Sequence, residues 1–414
     1  MEALLQLPQK LLWVVYENFE QTPLPILLIL AITTAVTVLT CAYAAVFILA
    51  PTPRPPFSSE KTYITTAPDG STTDPKPLPC WHDEWLSHRK EAENIKDFSE
   101  KHTGDIEEAE LEMSVVIPAY NEEERLEIML EEAVPFLDAE YGRTPKAKGA
   151  RKGEASGMGG YEILLVDDGS KDRTVEVALA FSRKHKLHDV LRICKLKENR
   201  GKGGAVTHGF RHVRGAFAVF ADADGASAFA DLAKLVEGCK AVADQPNRAV
   251  AVGSRSHLVG SEAVVKVRDF ISTFVAKTAN WNQRSAIRNV LMHSFHALLK
   301  ILTPPATSRI RDTQCGFKLF SRAALPHIVP YMHAEGWIFD VEMLMLAESA
   351  PPGIIMGRKG EQIGTTPGIR VAEVQIGWKE VGGSKLNVIW DSLGMAWGLA
   401  LLRASWMAGV YRRR

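Results

Sequence analysis

Segments typical of short buried strands alternate with segments typical of helices from residue 113 to residue 253. The predicted strands are residues 113–118, 163–166, 190–195, 216–220 and 249–253. The predicted helices between them are residues 121–136, 174–185, 202–213 and 230–243. Repeated strand–helix units of this kind predict an α/β fold with a mostly parallel sheet flanked by helices on both faces.

Polar loops follow three of these strands, at residues 118–122, 167–172 and 222–227. Because the carboxyl ends of parallel strands meet at one edge of a sheet, the three loops are expected to form one ligand site. In the third loop, Asp222 and Asp224 can converge on a hard cation such as Mg²⁺ or Mn²⁺. An isolated Asp-x-Asp is more typical of a surface turn or a helix N-cap than of a metal site, and the presence of the two other loops is what favours the metal.

The first loop combines an aromatic ring with an acceptor. Pro118 ends the strand, and Tyr120 or Asn121 is predicted to begin a helix whose free N–H groups face a diphosphate. Tyr120 supplies a flat ring for stacking on a base, and Glu122 supplies a hydrogen-bond acceptor. A plain strand end followed by a helix cap is the alternative interpretation.

The second loop carries two adjacent carboxylates, Asp167 and Asp168, followed by Gly169, which permits a tight turn. One carboxylate is predicted to accept a hydrogen bond from a base or a ribose, and the other to cap the loop. The residues alone do not decide which is which. A glycine-rich turn at 199–206 lacks the terminal Lys-Ser/Thr pair of a Walker loop, and its Lys202 is predicted to approach a diphosphate or an acidic partner.

No charged residue occurs between residues 24 and 50. A helix needs about 20 apolar residues to cross a bilayer, so this segment is predicted to be a transmembrane anchor. A signal peptide, the alternative, has a shorter apolar core and a basic leading flank. Arg54 and Lys61 follow the segment, which places the large C-terminal portion in the cytosol by the positive-inside rule.

Composition limits the partners. The chain has 49 Lys and Arg against 49 Asp and Glu, so net charge gives no reason to expect nucleic-acid binding. Five scattered cysteines match neither a disulfide framework nor a zinc site. The predicted organisation is a short lumenal N-terminus (1–23), the anchor (24–50), a juxtamembrane linker and lead-in (51–110), a cytosolic catalytic domain (111–385) and a C-terminal amphipathic segment (386–414).

The order and wording of the motifs at 114–122, 166–174, 199–204 and 222–224 resemble the inverting family 2 glycosyltransferases of the GT-A fold. The segments 311–320, 336–342 and 380–386 resemble one branch, the dolichyl-phosphate β-glucosyltransferases of the endoplasmic reticulum. That branch also carries a single N-terminal membrane anchor. The resemblance spans about residues 113–393.

The resemblance implies roles for individual residues. Asp222 and Asp224 match the metal-binding pair, while Arg255 and Lys385 match basic positions that contact a diphosphate or an acceptor phosphate. Asp312 is the candidate acidic residue near the sugar, either binding its hydroxyls or orienting a basic partner, with a loop cap as the alternative. The implied substrate-binding residues are Pro118, Ala119, Tyr120, Glu122, Asp168, Lys202, Asp222, Ala223, Ser227 and Arg268.

The implied reaction transfers glucose from UDP-glucose to dolichyl phosphate with inversion, at the endoplasmic reticulum membrane, for N-glycan precursor assembly. A mannosyltransferase that uses GDP-mannose is one alternative, and a non-catalytic nucleotide-sugar-binding membrane adaptor is another. A lipid acceptor requires contact with the bilayer, and residues 264–302 and 386–411 interleave basic and aromatic residues as interfacial helices do. Ordinary core-facing helices are the alternative for both stretches.

Overall fold

The computed structural model describes residues 22–94, 106–145, 158–245, 247–259, 297–356, 361–379, 381 and 388–411. The chain forms two compact units, one comprising Met1–Ala50 with Leu401–Arg414 and the other Pro51–Ala400. The stretch 264–302, predicted to lie at a membrane interface, falls mostly outside the described residues, as does the N-terminus up to residue 21.

Eleven strands are defined within the described ranges, and most belong to one sheet. They are β1 Thr62–Tyr63, β2 Lys76–Pro77, β3 Leu111–Ala119, β4 Tyr161–Asp167, β5 Leu191–Lys195, β6 Gly215–Ala221, β7 Ala249–Ser254, β8 Phe317–Ser321, β9 Gly353–Met356, β10 Gln362–Thr366 and β11 Arg370–Gln375. The helices of the same ranges are α1 Leu24–Leu49, α2 Trp81–Asn94, α3 Leu126–Glu140, α4 Thr174–His185, α5 Gly201–Phe210, α6 Leu232–Val242, α7 Ser256–Val259, α8 Pro305–Arg309, α9 Phe339–Glu348 and α10 Val388–Met407.

The main sheet has seven strands in the order β11-β7-β8-β6-β3-β4-β5. Its pairs are parallel except for those of β8, which runs antiparallel to both β6 and β7. Every residue of β4 and β7 is buried, as expected for strands covered on both faces. The predicted mostly parallel α/β sheet is therefore confirmed, and β3, β4 and β6 lie side by side with their carboxyl ends at one edge.

The helix predicted to begin at Tyr120 or Asn121 is displaced. Asn121 has a left-handed backbone (φ 54°), and its N–H donates to Ser170 Oγ at 2.9 Å. Because the chain turns here, α3 begins only at Leu126. The prediction that a helix N-terminus follows the first strand directly is wrong.

The first part of the predicted juxtamembrane linker and lead-in (51–110) is packed against the sheet rather than exposed. Thr65 and Thr66 are almost fully buried, and Thr65 Oγ1 donates to the carbonyl oxygen of Leu191 in β5 at 2.7 Å. Ile64 and Ile193 exchange backbone hydrogen bonds of 3.0 and 2.9 Å. The Ser, Thr and Pro content suggested solvent exposure, but the Thr65 hydroxyl is satisfied by the edge of the sheet, and the Thr66 hydroxyl by Ser182 and His188.

The first unit contains the apolar helix α1, which has 26 residues and a mean hydropathy of 2.4. It is long enough to cross the hydrocarbon core of a bilayer and is the one candidate span among the described helices. Helix α10 is also apolar, and it presents Leu393 and Trp397 to the exterior while Leu399 is fully buried.

Candidate functional site

The loops that follow β3 and β4 lie against each other. The backbone N–H of Asp168 donates to the carbonyl oxygen of Ala119 at 2.8 Å, and that of Lys171 donates to Asn121 Oδ1 at 2.8 Å. Gly169 adopts φ +75°, the left-handed turn expected at that position. Two of the predicted polar loops therefore form one continuous surface, with half-exposed Tyr120 at its rim.

The two neighbouring carboxylates of the second loop have different hydrogen-bond partners. Asp167 Oδ1 accepts a hydrogen bond from the backbone N–H of Ser170 at 3.2 Å, which makes Asp167 the cap. Asp168 Oδ1 accepts from the backbone N–H of Arg200 at 2.7 Å. Burial raises the pKa of Asp168 to about 7, although the N–H groups of Arg200 and Gly201 partly oppose the rise. Burial also raises the pKa of Asp167, so both carboxyl groups of this loop sit in a desolvated environment.

Asp222 pairs with Lys202. The Lys202 Nζ lies 2.5 Å from Asp222 Oδ1, and both side chains are only partly exposed. Burial alone would lower the pKa of Lys202, but Asp222 and Asp340 outweigh that effect and raise it. The lysine of the glycine-rich turn is therefore aimed at the first carboxylate of the predicted metal pair rather than at solvent.

Asp224 lies close to a second cation, Arg125, which the sequence motifs do not predict. The distance from Arg125 Nη1 to Asp224 Oδ2 is 3.8 Å, and Asp224 Oδ1 accepts from the backbone N–H of Ala226 at 3.0 Å. Arg125 is held by Glu122, whose carboxylate accepts from Arg125 Nε at 2.8 Å and Nη2 at 2.7 Å. Glu122 thus acts on the Asp224 position indirectly, by holding Arg125.

Arg255 and Asp312 form a two-pronged ion pair after β7. Arg255 Nε and Nη2 donate to the Asp312 carboxylate at 2.7 and 2.8 Å, and the Arg255 backbone N–H donates to it at 2.9 Å. Burial works against the charge on Arg255, but the hydrogen bonds to Asp312 raise its pKa overall. Of the roles predicted for Asp312, this contact matches orientation of a basic partner.

The chain beyond β11 lies along the loop that contains Ser227. Lys379 N–H donates to the carbonyl oxygen of Ala226 at 2.9 Å, and Ser227 forms an antiparallel bridge with Trp378. The Arg255 guanidinium carbon lies 5.7 Å from the centre of a Trp378 ring. Residues on both sides of the Asp222–Asp224 loop therefore converge on it.

The motifs at 311–320 and 336–342 contribute buried charged residues that bond within the fold. Lys318 is fully buried, and its Nζ donates to Asp340 and, at 2.6 Å, to the carbonyl oxygen of Cys315. Glu342 accepts from the backbone N–H groups of His333 at 3.0 Å and Ala334 at 2.7 Å. These charged residues are satisfied inside the fold, as buried ions must be.

The donor set at the Asp pair suits a small hard cation. Mg²⁺ is usually held by one or two carboxylates and completes its coordination with water and substrate phosphate. Asp222 and Asp224 supply two such carboxylates at a partly exposed position, and the ranges that the structure describes contain no group of three or more candidate metal ligands. The residues present therefore fit a cation that shares its coordination with a phosphate.

Most residues predicted for the site lie at this edge of the sheet, and two lie outside the described residues. Arg268 and Lys385 belong to the latter group. Arg125 and Arg200 are additions that pattern analysis missed, because their roles depend on contacts made in the folded chain. The residues that the fold gathers are Pro118, Ala119, Tyr120, Glu122, Asp168, Lys202, Asp222, Ala223, Asp224, Ser227, Arg255 and Asp312.

Comparison with known proteins places this arrangement in a family. Residues 114–298 match the model of "Glycosyl transferase family 2". Dolichyl-phosphate beta-glucosyltransferase of Saccharomyces cerevisiae is 38% identical over 89% of this chain and 91% of its own length. The Drosophila melanogaster protein of the same name is 39% identical over 73% of this chain and 77% of its own length.

A solved structure, that of the Mycobacterium tuberculosis glucosyl-3-phosphoglycerate synthase, is similar at 18% identity with a TM-score of 0.41. The match covers 71% of this chain and 81% of that one.

Gly316 provides a test of the Asp pair as a cation site. A Cβ at residue 316 would overlap the Asp222 carboxylate, so Gly316→Ala must displace that carboxylate. We expect the variant to bind Mn²⁺ at least about tenfold more weakly than the parent in calorimetric titration, because one of two anionic ligands moves. The matched control is Gly364→Ala, where a Cβ meets no atom within 4 Å. Equal Mn²⁺ affinity in the two variants would show that Asp222 is not a ligand.

Proposed function

The chain belongs to the dolichyl-phosphate beta-glucosyltransferases of glycosyl transferase family 2, and on that basis we propose that it transfers glucose from UDP-glucose to dolichyl phosphate. The product is dolichyl β-D-glucosyl phosphate, formed with inversion, and it serves as a lipid-linked glucose donor for N-glycan precursors. The observation that carries this proposal is the convergence of the Asp222–Asp224 pair, Lys202 and the Arg255–Asp312 pair at one sheet edge.

The nucleotide lies, in this proposal, over the loops after β3 and β4. Tyr120 stacks on the uracil, and Asp168 accepts the uracil N3–H. Because Asp168 follows β4 and Asp222 follows β6, the base and the diphosphate extend along the carboxyl edge from one loop to the next. Lys202 then stands beside the diphosphate and neutralises part of its charge.

A divalent cation, Mg²⁺ or Mn²⁺, held by Asp222 and Asp224 would stabilise the charge that develops on the UDP leaving group. Arg125, 3.8 Å from Asp224, offsets part of its negative charge. The same carboxylates would repel an incoming phosphate if they carried no counter-charge, so the cations around them are part of the catalytic arrangement.

The acceptor phosphate is proposed to bind on the other side of the Asp pair, at Arg255. In sheet order, β7 lies beyond β6 and β8, away from the nucleotide loops, and Arg255 follows β7 directly. Asp312 orients the Arg255 guanidinium and is a positioning residue. A phosphate monoester has a second pKa of about 6, so it attacks largely as the dianion and needs no strong general base.

The enzyme's main task is then alignment. Two polyanions must be brought in line, and fixed cations on either side offset their repulsion. We propose that Lys385, in the 380–386 segment, and Arg268, in the 264–302 stretch, add positive charge on the acceptor side. The apolar helix α1 anchors the protein in the endoplasmic reticulum membrane, with the catalytic unit facing the cytosol and the exposed apolar residues of α10 at the bilayer.

Donor choice and metal dependence are tested together. Purified full-length protein in detergent receives dolichyl phosphate and either labelled UDP-glucose or labelled GDP-mannose, with and without EDTA. We expect transfer from UDP-glucose, abolished by EDTA and restored by Mg²⁺ or Mn²⁺, because Asp222 and Asp224 need a cation to hold the diphosphate.

Two variants accompany that assay. Asp224→Asn is expected to lose at least about 100-fold in kcat while remaining folded, as for loss of a strong electrostatic contact in the transition state. Glu127→Gln, on the exposed face of α3, is the matched control and is expected to keep full activity. Transfer from GDP-mannose alone would contradict the donor assignment, and metal-independent transfer would contradict the role of the Asp pair.

The raised pKa of Asp168 predicts that donor binding depends on pH. The pKa of about 7 means that lowering the pH from about 8 to about 6 protonates the carboxylate and replaces the charged acceptor for uracil with a weaker neutral one. UDP-glucose affinity is expected to fall about tenfold over that range, measured by calorimetry in Mg²⁺. The diphosphate of UDP-glucose is esterified at both ends and does not titrate here. In Asp168→Asn the dependence is expected to vanish, and an unchanged pH profile in this variant would contradict the assignment.

A further inference from the structure

The segment between the membrane helix and the sheet is tied to a single buried carboxylate. Glu60 is fully buried, and it accepts hydrogen bonds from Arg54 Nη1 at 2.9 Å and Nη2 at 2.6 Å. It also accepts from the backbone N–H groups of Phe57 and Lys197, each at 2.9 Å. Burial alone would raise the pKa of Glu60, but these bonds lower it to about 2, so the carboxylate stays ionised.

Glu60 connects the juxtamembrane segment to the start of the glycine-rich turn. Lys197 precedes the turn by a few residues, and its N–H is fixed by the Glu60 carboxylate. The carbonyl oxygen of Glu60 also contacts His208 Nε2 of α5 at 2.8 Å and accepts from Cys194 Sγ of β5 at 3.0 Å. The segment therefore contacts the chain on both sides of Lys202, at Cys194 and Lys197 before it and at His208 after it.

Arg200 continues the connection into the nucleotide loops. Its Nη2 donates to the carbonyl oxygen of Arg54 at 3.0 Å, and its Nε donates to Glu335 Oε1 at 2.7 Å. Its backbone N–H is the group that donates to Asp168 at 2.7 Å. Arg200 is buried, so its position depends on these partners rather than on solvent.

We propose that Arg54, Glu60, Arg200 and Glu335 form a donor clamp, which positions Asp168 and the 199–204 turn for the nucleotide. The proposal rests on the function proposed above, because it assigns Asp168 to the UDP-glucose side. The juxtamembrane segment then contributes to donor binding by fixing these loops. Only four residues of sequence, 50–53, separate helix α1 from Arg54, so the clamp begins where the membrane anchor ends.

If the clamp positions the donor loops, a clamp variant weakens UDP-glucose binding selectively. A purely structural contact would not have this effect. Glu60→Gln keeps the shape of the side chain but removes its charge, so the hold on Arg54 and Arg200 weakens. We expect the Kd for UDP-glucose to rise about tenfold, the usual weight of one charge-assisted hydrogen bond. The KM for dolichyl phosphate and the kcat at saturating donor are expected to stay within about threefold of the parent.

The matched control is Asp83→Asn in the same segment. Asp83 pairs with Lys61, the neighbour of Glu60, at a partly exposed position, and neither residue touches Arg200. This variant is expected to bind UDP-glucose as the parent does. A second clamp variant, Glu335→Gln, changes the partly exposed partner of Arg200 and serves if Glu60→Gln does not fold.

The outcomes are distinct. A donor-specific loss in Glu60→Gln or Glu335→Gln, absent in Asp83→Asn, supports the clamp. Folded clamp variants with unchanged UDP-glucose affinity, or with donor and acceptor constants altered equally, would overturn it while leaving the proposed function standing. A parent protein that fails to bind UDP-glucose would instead overturn the proposed function and the clamp with it.

Discussion

Crowding of negative charge is the constraint on which this site depends. A mostly parallel sheet delivers Asp168, Asp222, Asp224 and Asp312 to one edge, and two unit charges 4 Å apart interact by about 4 kcal/mol at an effective dielectric constant of 20. Each carboxylate has its own counter-group: a backbone N–H of Arg200, Lys202, Arg125 and Arg255. The same cations suit a site that must accept two phosphorylated substrates, so folding and proposed function use one set of charges.

Local pattern was sufficient to predict five of the seven strands of the main sheet and the carboxylates that follow two of them. The helix 174–185 coincides with α4, and the strands before Asp167 and Asp222 lie within a residue or two of their predicted bounds. The partners of those carboxylates were not predictable. Arg125 faces Asp224 only because α3 begins late, after the left-handed Asn121, and helical periodicity carries no sign of such a turn. The close approach of Gly316 to the Asp222 carboxylate likewise depends on β8, which pairs antiparallel with β6.

The juxtamembrane segment shows how composition misleads. Its Pro, Ser and Thr content is typical of linkers, yet Glu60 is ionised in the interior, and Thr65 and Thr66 satisfy their hydroxyls against β5, α4 and the loop that follows α4. Burying a charge costs free energy unless the charge is paired and hydrogen-bonded. Four donors hold the Glu60 carboxylate, which indicates that its position is fixed in the fold. The bond from Lys197 N–H to Glu60 and the bond from Arg200 to the Arg54 carbonyl oxygen link the part of the chain nearest the anchor to the proposed donor loops.

The central claim is that donor and acceptor bind on opposite sides of the Asp222–Asp224 pair. The most direct measurement is a comparison of Lys202→Gln and Arg255→Gln in steady-state kinetics with both substrates varied. We predict that Lys202→Gln raises the KM for UDP-glucose, while Arg255→Gln raises the KM for dolichyl phosphate, each by about tenfold or more and each with little effect on the other substrate. If both variants weaken the same substrate, the two sides of the site are not separated, and the account is wrong.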